Sequence, residues 1–166
     1  FLYIYGPEMC GKTLISEIWT KKSKAIYVSH ENFDKKIPDD FDINFVKKNN
    51  WVLDDVDKLI EKNKNINNKI FSFINVLKTT PNTFLLMTGL KSPKHINCDF
   101  KDVTSRMLSS IVIEIGYPDE LLLSKIIEKY LNDRNILLDK RSLSYILDRI
   151  ERSYESAIKI AKQIDM

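Results

Sequence analysis

The stretch Gly6-Pro7-Glu8-Met9-Cys10-Gly11-Lys12-Thr13 decides the fold of this chain. It matches the pattern G-x-x-x-x-G-K-[ST], whose backbone N–H groups surround phosphates while the lysine reaches the outer phosphates and the hydroxyl binds Mg²⁺. This chemistry needs a strand before the loop and a helix after it. The apolar run Leu2–Tyr5 predicts the strand. The helix is predicted by apolar residues at helical spacing, namely Leu14, Ile15, Ile18 and Trp19.

We therefore predict a phosphate-binding loop for ATP or ADP at residues 6–13, with Lys12 on the phosphates and Thr13 on Mg²⁺. The alternative is a Gly-Pro turn that happens to precede a lysine. Many such loops carry a further glycine near the middle, where this chain has Met9 and Cys10, which resist positive φ. The pattern predicts binding without guaranteeing that it is tight.

Composition narrows the class of protein. With 166 residues and 43% hydrophobic content, the chain can bury the core of one or two small domains. The 26 basic and 23 acidic residues are interspersed, so charge does not favour sequence-specific DNA binding. Two cysteines suit a reducing compartment, and we expect a cytoplasmic protein. His30 and His95 have no ligand-spaced companions, so a zinc site is not supported.

Targeting and membrane segments are not predicted either. No run approaches the roughly 18 consecutive apolar residues that a membrane span needs. The chain opens on Phe1 rather than an initiating methionine, so we expect further sequence before it.

Strand and helix patterns alternate over residues 1–115. Lys101–Ser109 has a helical pattern, and the polar run Lys58–Lys69 is predicted to be a solvated loop and the start of a helix. The predicted strands are Leu2–Tyr5, Ala25–Val28, Trp51–Leu53, Thr83–Thr88 and Ile111–Ile115. This order predicts an α/β core with a five-stranded parallel sheet.

Residues 116–166 are predicted to form a small helical lid. Pro118 is expected at a first helical position, and Ser153 is expected to cap the last helix. The apolar stripes predicted to face the core are Leu121, Leu122, Ile126, Ile127 and Tyr130; Leu143, Ile146, Leu147 and Ile150; and Ala157, Ile158, Ile160, Ala161 and Ile164.

An acidic pair follows the third predicted strand. Asp54 lies where such a fold holds Mg²⁺, and Asp55 is predicted to polarise the attacking water as a general base. Alternatively, these two residues and Asp57 form an ordinary solvated acidic turn. Since aspartate is one methylene shorter than glutamate, hydrolysis by the isolated chain is expected to be slow.

Two arginines are candidates for contact with phosphates. Arg106 precedes the fifth strand, where it can project toward a neighbouring subunit's nucleotide as an arginine finger. Arg152, at the start of the last helix, can fold over the phosphates from the lid. The alternative for each is a solvated surface arginine.

Together these features resemble the AAA+ ATPases of the DnaA initiator clade. The resemblance is narrower to the alphaproteobacterial Hda-like branch in four segments: 51–57 (WVLDDVD), 118–122 (PDELL), 132–134 (NDR) and 149–154 (RIERSY). It implies a protein that lacks the DNA-binding domain of DnaA, joins the DNA-loaded sliding clamp and stimulates ATP hydrolysis by DnaA. Arg106 would be the finger acting in trans. The nucleotide bound by the chain itself, often ADP in the family, would be a conformational requirement.

The chain departs from the family's pattern at three places. Residues 1–166 do not include the N-terminal peptide through which the family binds the clamp, so clamp binding is expected only if sequence before Phe1 supplies that peptide. Leu90 stands where the first sensor motif usually has an aspartate, so hydrolysis at the chain's own site is less favoured. The second sensor falls on Arg152 or on Glu155. Two other hypotheses stay open: a self-sufficient ATPase such as an initiator or helicase loader, and an interaction module whose nucleotide handling has decayed.

Overall fold

The computed structural model describes residues 1–47, 49–62, 66–98 and 100–166. The chain forms two compact units. The first comprises Phe1–Gly6 and Gly11–Ile115, and the second comprises Pro7–Cys10 and Gly116–Met166. In the described ranges, no helix is both long enough and apolar enough to cross a membrane.

The first unit is built on a five-stranded sheet in the order β2-β3-β4-β1-β5. Its strands are β1 (Leu2–Tyr5), β2 (Ile26–Ser29), β3 (Trp51–Asp54), β4 (Leu85–Gly89) and β5 (Ile111–Glu114). Every neighbouring pair is parallel. The predicted α/β class with a parallel sheet is therefore confirmed. Some strand boundaries differ from the prediction: β2 begins at Ile26 instead of Ala25, and β4 begins at Leu85 instead of Thr83.

The central strands read as apolar runs because helices cover both faces of a parallel sheet. All residues of β3 and β4 are buried. At the edge, β5 leaves Ile111 and Ile113 68% and 45% exposed. An aromatic cluster packs the helix Asn67–Thr79 against β3, with the rings of Trp51 and Phe73 edge to face at a centroid distance of 5.0 Å.

The helices of the first unit connect these strands. They are α1 (Lys12–Ser23), α2 (Phe33–Lys36), α3 (Ile43–Val46), α4 (Val56–Lys62), α5 (Asn67–Thr79) and α6 (Lys101–Leu108), with a 3₁₀ turn at Pro93–His95. Helix α4 corrects the predicted loop at Lys58–Lys69. Leu59 and Ile60 lie within that polar run, and both are buried against the sheet core. Residues 63–65 of the run lie outside the described residues.

Helix α1 forms as predicted, but its apolar face is not the buried one. Leu14, Ile15 and Ile18 are 59%, 39% and 46% exposed, whereas Lys12 and Ser16 are buried. Residues four apart share one face of a helix, so the buried side of α1 is its polar side. Polar contacts in the candidate site therefore orient this helix.

The second unit contains α7 (Glu120–Asn132), α8 (Lys140–Leu147) and α9 (Tyr154–Ile164). Ser153 caps α9 by accepting a hydrogen bond from Ser156 N–H, as predicted. The prediction for Pro118 is wrong. Asp119 is the N-cap of α7, accepting from Leu122 N–H, so the helix begins after it.

The core of the second unit differs from the predicted stripe on α7. Leu121 and Leu122 are 63% and 39% exposed. The helix instead buries Leu123, Ile127 and Leu131, which follow one another at four-residue spacing. Because five apolar residues lie at 121–123 and 126–127 with little polar contrast, the sequence did not distinguish the buried side. Leu143, Ala157 and Ala161 complete this core.

Candidate nucleotide-binding site

The loop at residues 6–13 leads from β1 into α1. Gly11 is the N-cap of α1 and has φ 96°, a left-handed conformation that glycine adopts without a steric penalty. Glycine has no side chain with which to cap the helix, and no side-chain cap is formed there. The first-turn N–H groups of α1 are therefore not capped by a side chain, as an anion-binding helix N-terminus requires.

Met9 also adopts a left-handed conformation, with φ 60°. This is the position where the sequence lacks the glycine that many such loops carry. A non-glycine residue pays about 1–2 kcal/mol for this conformation. The loop thus keeps its shape at a cost. Glu8 and Met9 are exposed, Pro7 and Cys10 are half-buried, and Gly6 is buried.

Lys12 lies in the first turn of α1, with its side chain turned back across the loop. The residue is 6% exposed, and its Nζ donates a hydrogen bond to the carbonyl oxygen of Gly6 at 2.8 Å. A buried ammonium group needs acceptors around it. Its position in the loop fits a bound phosphate as an acceptor.

Asp54, the last residue of β3, is 6% exposed and lies at the centre of a set of hydroxyl groups. Its Oδ2 accepts from the hydroxyl of Thr13 at 3.1 Å and from that of Tyr27 at 2.6 Å. Its Oδ1 accepts from Ser16 at 3.3 Å and from Thr88. The two residues predicted to hold Mg²⁺, Thr13 and Asp54, are therefore in direct contact.

Burial, together with the hydrogen bond to Asp54, raises the pKa of the Tyr27 hydroxyl above its ordinary value of 10.0. Tyr27 consequently stays a hydrogen-bond donor to Asp54 at physiological pH. No sequence pattern singles out this tyrosine, because its contact with Asp54 depends on the pairing of β2 with β3.

Asp55 follows Asp54 and has φ 54°, a conformation that aspartate tolerates better than most residues. Its backbone N–H donates to the Thr88 hydroxyl at 3.0 Å. Its carboxylate lies 2.8 Å from Lys58 Nζ and 3.9 Å from His30 Nδ1. The predicted general base is thus paired with a lysine one helical turn away.

Asp57 has a structural role that the sequence reasoning missed. It is 2% exposed, and its Oδ2 accepts from the N–H groups of Leu90 and Lys91 at 2.6 and 3.1 Å. Asp57 therefore fixes the segment that follows β4, where Leu90 stands in the expected sensor position. Its burial follows from α4, whose helical character the polar sequence did not indicate.

Arg106 lies near the end of α6 and is exposed. Its guanidinium carbon is 5.6 Å from the ring centroid of Phe71. Lys78 Nζ contacts the Arg106 carbonyl oxygen at 3.5 Å. The surrounding cavity of ≈330 Å³ is lined by Phe71, Asp102, Ser105, Arg106 and Ser109.

The topology separates Arg106 from the phosphate loop of its own chain. Helices α5 and α6 end before β4 and β5 begin, so Lys78 and Arg106 lie at the edge where the strands start. The loop instead follows the end of β1. Since all strands are parallel, Arg106 lies beside the amino-terminal ends of the strands, and the phosphate loop lies beside their carboxyl-terminal ends.

Arg152, in the second unit, precedes the N-cap of α9 rather than lying within the helix. Its side chain is 74% exposed and its Nη2 is 3.8 Å from a carboxylate oxygen of Glu120. Such an exposed pair holds a side chain only weakly. Glu155 occupies the first turn of α9.

Comparison with solved structures places this architecture among known folds. The replication initiator DnaA bound to AMPPCP and single-stranded DNA matches with a TM-score of 0.79 and 23% identity, over 99% of this chain and 55% of that one. AMPPCP-bound DnaA from Aquifex aeolicus matches with a TM-score of 0.74 and 25% identity, over 97% of this chain and 55% of that one. The chain has the AAA+ fold.

A third match to this AAA+ fold is domain III of DnaA from Thermotoga maritima, with a TM-score of 0.76 and 19% identity, over 99% of this chain and 75% of that one. The chain spans about half the length of the first two DnaA structures. No protein-family model and no curated protein sequence matches the chain.

The residues of the loop and of β3 fit a nucleotide with Mg²⁺. Carboxylate and hydroxyl oxygens are the ligands that Mg²⁺ takes, and Thr13 and Asp54 present both at 3.1 Å from each other. Lys12 and the uncapped N-terminus of α1 fit the phosphates. The arrangement can therefore bind a nucleoside diphosphate or triphosphate.

Proposed function

We propose that the chain binds ADP or ATP with Mg²⁺ through the loop at residues 6–13. The contact between Thr13 and Asp54 carries this proposal, because it joins the phosphate loop to the end of β3. Bound Mg²⁺ would supply positive charge beside the phosphates. Lys12 would exchange its bond to the Gly6 carbonyl for one to phosphate, and Thr13 would turn its hydroxyl from Asp54 toward the metal.

We further propose that the chain is an Hda-like regulator of replication initiation, which stimulates ATP hydrolysis by DnaA. The location of Arg106 supports this role. Arg106 is exposed, and its guanidinium carbon lies 5.6 Å from the centroid of the Phe71 ring. It lies beside the ends of the strands that are opposite to those next to the chain's own loop. An arginine placed in this way would be available to the nucleotide of another molecule. A DnaA subunit with bound ATP would place the phosphates of that ATP at the cavity lined by Arg106 and Phe71.

The state of the chain's own site supports a regulatory rather than a self-sufficient role. Asp55 is paired with Lys58 at 2.8 Å, so its carboxylate would have to leave this ion pair before it could orient an attacking water. Leu90 cannot hydrogen-bond to a γ-phosphate through its side chain. The bound nucleotide would therefore set the conformation of the regulator. Arg152 would reach the phosphates after leaving its weak pair with Glu120.

The proposed partners are DnaA and the DNA-loaded sliding clamp, in the cytoplasm and without direct sequence-specific DNA binding. The interspersed charges of the chain support the last point. The clamp would recruit the regulator to newly replicated DNA, where it would meet ATP-bound DnaA.

Nucleotide binding is tested by calorimetric titration of the chain with Mg-ADP and then with Mg-ATP, repeated on Lys12→Ala. We expect micromolar binding that the substitution abolishes. A folded parent chain that binds neither nucleotide would overturn the proposal and leave an interaction module with decayed nucleotide handling.

The regulatory role is tested by single-turnover ATP hydrolysis in DnaA, with DNA-loaded clamp and either the parent chain or Arg106→Ala. A finger contributes about 10³–10⁵-fold to the rate, so we expect stimulation to vanish while Mg-ADP binding is kept. Arg141→Ala, on the exposed face of α8, is the matched control and should stimulate normally. Normal stimulation by Arg106→Ala would refute the finger role.

A second candidate, a self-sufficient ATPase, is favoured by the same contact between Thr13 and Asp54, since a hydrolysing site also needs it. Asp55→Asn separates the two functions. Asparagine tolerates the left-handed conformation of position 55, so the backbone is preserved. Measurable turnover by the parent chain that is lost in Asp55→Asn would favour the ATPase, whereas no turnover in either would favour the regulator.

A further inference from the structure

The Tyr27 hydroxyl is a donor to Asp54 that comes from neither the phosphate loop nor the helix after it. Thr13 and Ser16 belong to α1, and Thr88 belongs to β4. Tyr27 comes from β2, where it lies opposite Val52 of β3. Side chains two residues apart on a strand share a face, so Tyr27 lies on the same side of the sheet as Asp54. Asp54 lies two residues beyond Val52 on β3, and the length of the tyrosine side chain brings the Tyr27 hydroxyl to within 2.6 Å of Asp54 Oδ2.

Tyr27 and Thr13 share one oxygen of this carboxylate. The hydrogen bond from Tyr27 is 2.6 Å long, and the one from Thr13 is 3.1 Å long. If Thr13 turns its hydroxyl to a metal ion, Oδ2 loses that donor. Tyr27 then remains as the neighbour that holds Oδ2, while Ser16 and Thr88 hold Oδ1. A carboxylate gripped at both oxygens keeps its orientation.

We propose that Tyr27 is a positioning residue for divalent metal, which holds the Asp54 carboxylate in the orientation that Mg²⁺ and a nucleotide need. This inference rests on the proposed nucleotide binding. In this role Tyr27 would act through Asp54 and would not itself be a ligand of the metal or of the phosphates. Its effect therefore concerns the contribution of the metal to nucleotide affinity and leaves the affinity of the loop for the phosphates themselves unchanged.

The test uses Tyr27→Phe, which keeps the ring and removes only the hydroxyl. Calorimetry gives the dissociation constant of ADP in Mg²⁺ and in EDTA, and the ratio of the two is the metal enhancement. Loss of a partner that orients a metal ligand typically costs 10–100-fold in metal affinity. We expect the enhancement to fall about tenfold or more while the constant in EDTA is unchanged. Electron paramagnetic resonance of Mn²⁺ with ADP should show a matching loss of bound metal.

Tyr5→Phe is the matched control, because Tyr5 also sits on a strand and donates its hydroxyl to a carboxylate, that of Glu114, at 2.9 Å. It should keep the full metal enhancement. A Tyr27→Phe variant with a lowered melting temperature but a normal metal enhancement would overturn this inference and leave the proposed nucleotide binding in place. A parent chain that binds ADP equally well in Mg²⁺ and EDTA would overturn the inference and the proposed part of Mg²⁺, while nucleotide binding by the loop would stand. A parent chain that binds no ADP at all would remove the proposed function and this inference together.

Discussion

At the scale of single residues, Met9 shows how this loop departs from a glycine-rich one. The sequence identified Met9 as a residue that resists positive φ, and the structure gives it φ 60° all the same. Met9 lies in the loop between Gly6, whose carbonyl accepts from Lys12, and Gly11, the N-cap of α1. Met9 therefore keeps a left-handed conformation that a residue with a side chain disfavours.

We predict that Met9→Gly stabilises the loop. Glycine adopts the left-handed conformation freely, which recovers part of the roughly 1–2 kcal/mol that a side chain costs there. The greater freedom of glycine in the unfolded chain offsets some of this gain. The free energy of unfolding in urea should rise by up to about 1 kcal/mol, and Mg-ADP should bind more tightly. Met9→Ala keeps a Cβ and should show neither gain; an equal gain in both variants would contradict the strain argument.

The residues of the candidate site were predictable to different degrees. Lys12, Thr13 and Asp54 could be found because a short pattern and a strand end mark them. The burial of Asp57 and the contact of Tyr27 with Asp54 could not, since both depend on which strands are neighbours and on a helix in a polar run. The phosphate loop can be predicted from local sequence, whereas the residues that surround it can be identified only once the pairing of the strands is known.

At the scale of elements, the end of β4 is packed too closely to accept a side chain at Gly89. A Cβ there would lie 2.1 Å from the Tyr3 hydroxyl oxygen and 3.1 Å from Asp57 Cγ. Tyr3 cannot move easily, because it is fully buried and donates to the Lys91 carbonyl at 2.8 Å. Overpacking a core typically costs about 1–3 kcal/mol.

We therefore predict that Gly89→Ala lowers the free energy of unfolding by about 1–3 kcal/mol in urea denaturation. The matched control is Gly116→Ala, because a Cβ at Gly116 would meet no atom within 4 Å. That variant should unfold with the midpoint of the parent chain. Similar midpoints for the two variants would show that the contact with Tyr3 relaxes without cost.

A polar link joins α4 to the segment after β4. Glu61 accepts from Lys91 Nζ at 2.7 Å and from the Asn97 N–H at 3.2 Å. The hydrogen bond from Lys91 is the main cause that holds the pKa of Glu61 below its ordinary value of 4.5. Because the pKa is lowered in the folded state, the link contributes its full stability above the ordinary pKa of 4.5 and loses it as the pH falls from there through the lowered pKa of the folded chain.

We predict that Glu61→Gln loses stability at neutral pH and loses nothing further in acid. Exposed pairs contribute about 0.2–1 kcal/mol, which sets the size of the effect. Urea unfolding at a series of pH values should show the parent and the variant converging below pH 4.5. A difference that persists in strong acid would assign the effect to packing instead of charge.

The elements themselves were largely readable from the sequence, while their orientation was not. The central strands β3 and β4 appeared as apolar runs because both of their faces are covered, whereas β5 is apolar although Ile111 and Ile113 are exposed. For α1 and α7 the periodicity predicted the helix but not its buried side. Helix α1 turns the polar residues Lys12 and Ser16 inward, toward partners that lie far away in sequence. Apolar periodicity cannot indicate a helix whose orientation is set by polar contacts.

At the scale of the whole molecule, nucleotide binding should appear as thermal stability. A ligand that binds the folded chain at 100 times its dissociation constant stabilises it by about 2.7 kcal/mol. For a chain of 166 residues, each kcal/mol raises the melting temperature by about 2–4 °C. We predict that saturating Mg-ADP raises the melting temperature by about 5–11 °C.

The shift should come from the phosphates, because the groups that the structure presents are the Lys12 ammonium, the N-terminus of α1 and the pair of Thr13 and Asp54. Differential scanning fluorimetry with adenosine should therefore show almost no shift, and Lys12→Ala should lose the shift with Mg-ADP. Mg²⁺ without nucleotide should have little effect, since Thr13 and Asp54 supply two ligands and the phosphates must supply others. An equal shift with adenosine and Mg-ADP would place the binding energy on the base and sugar, and would remove the phosphate loop from the explanation.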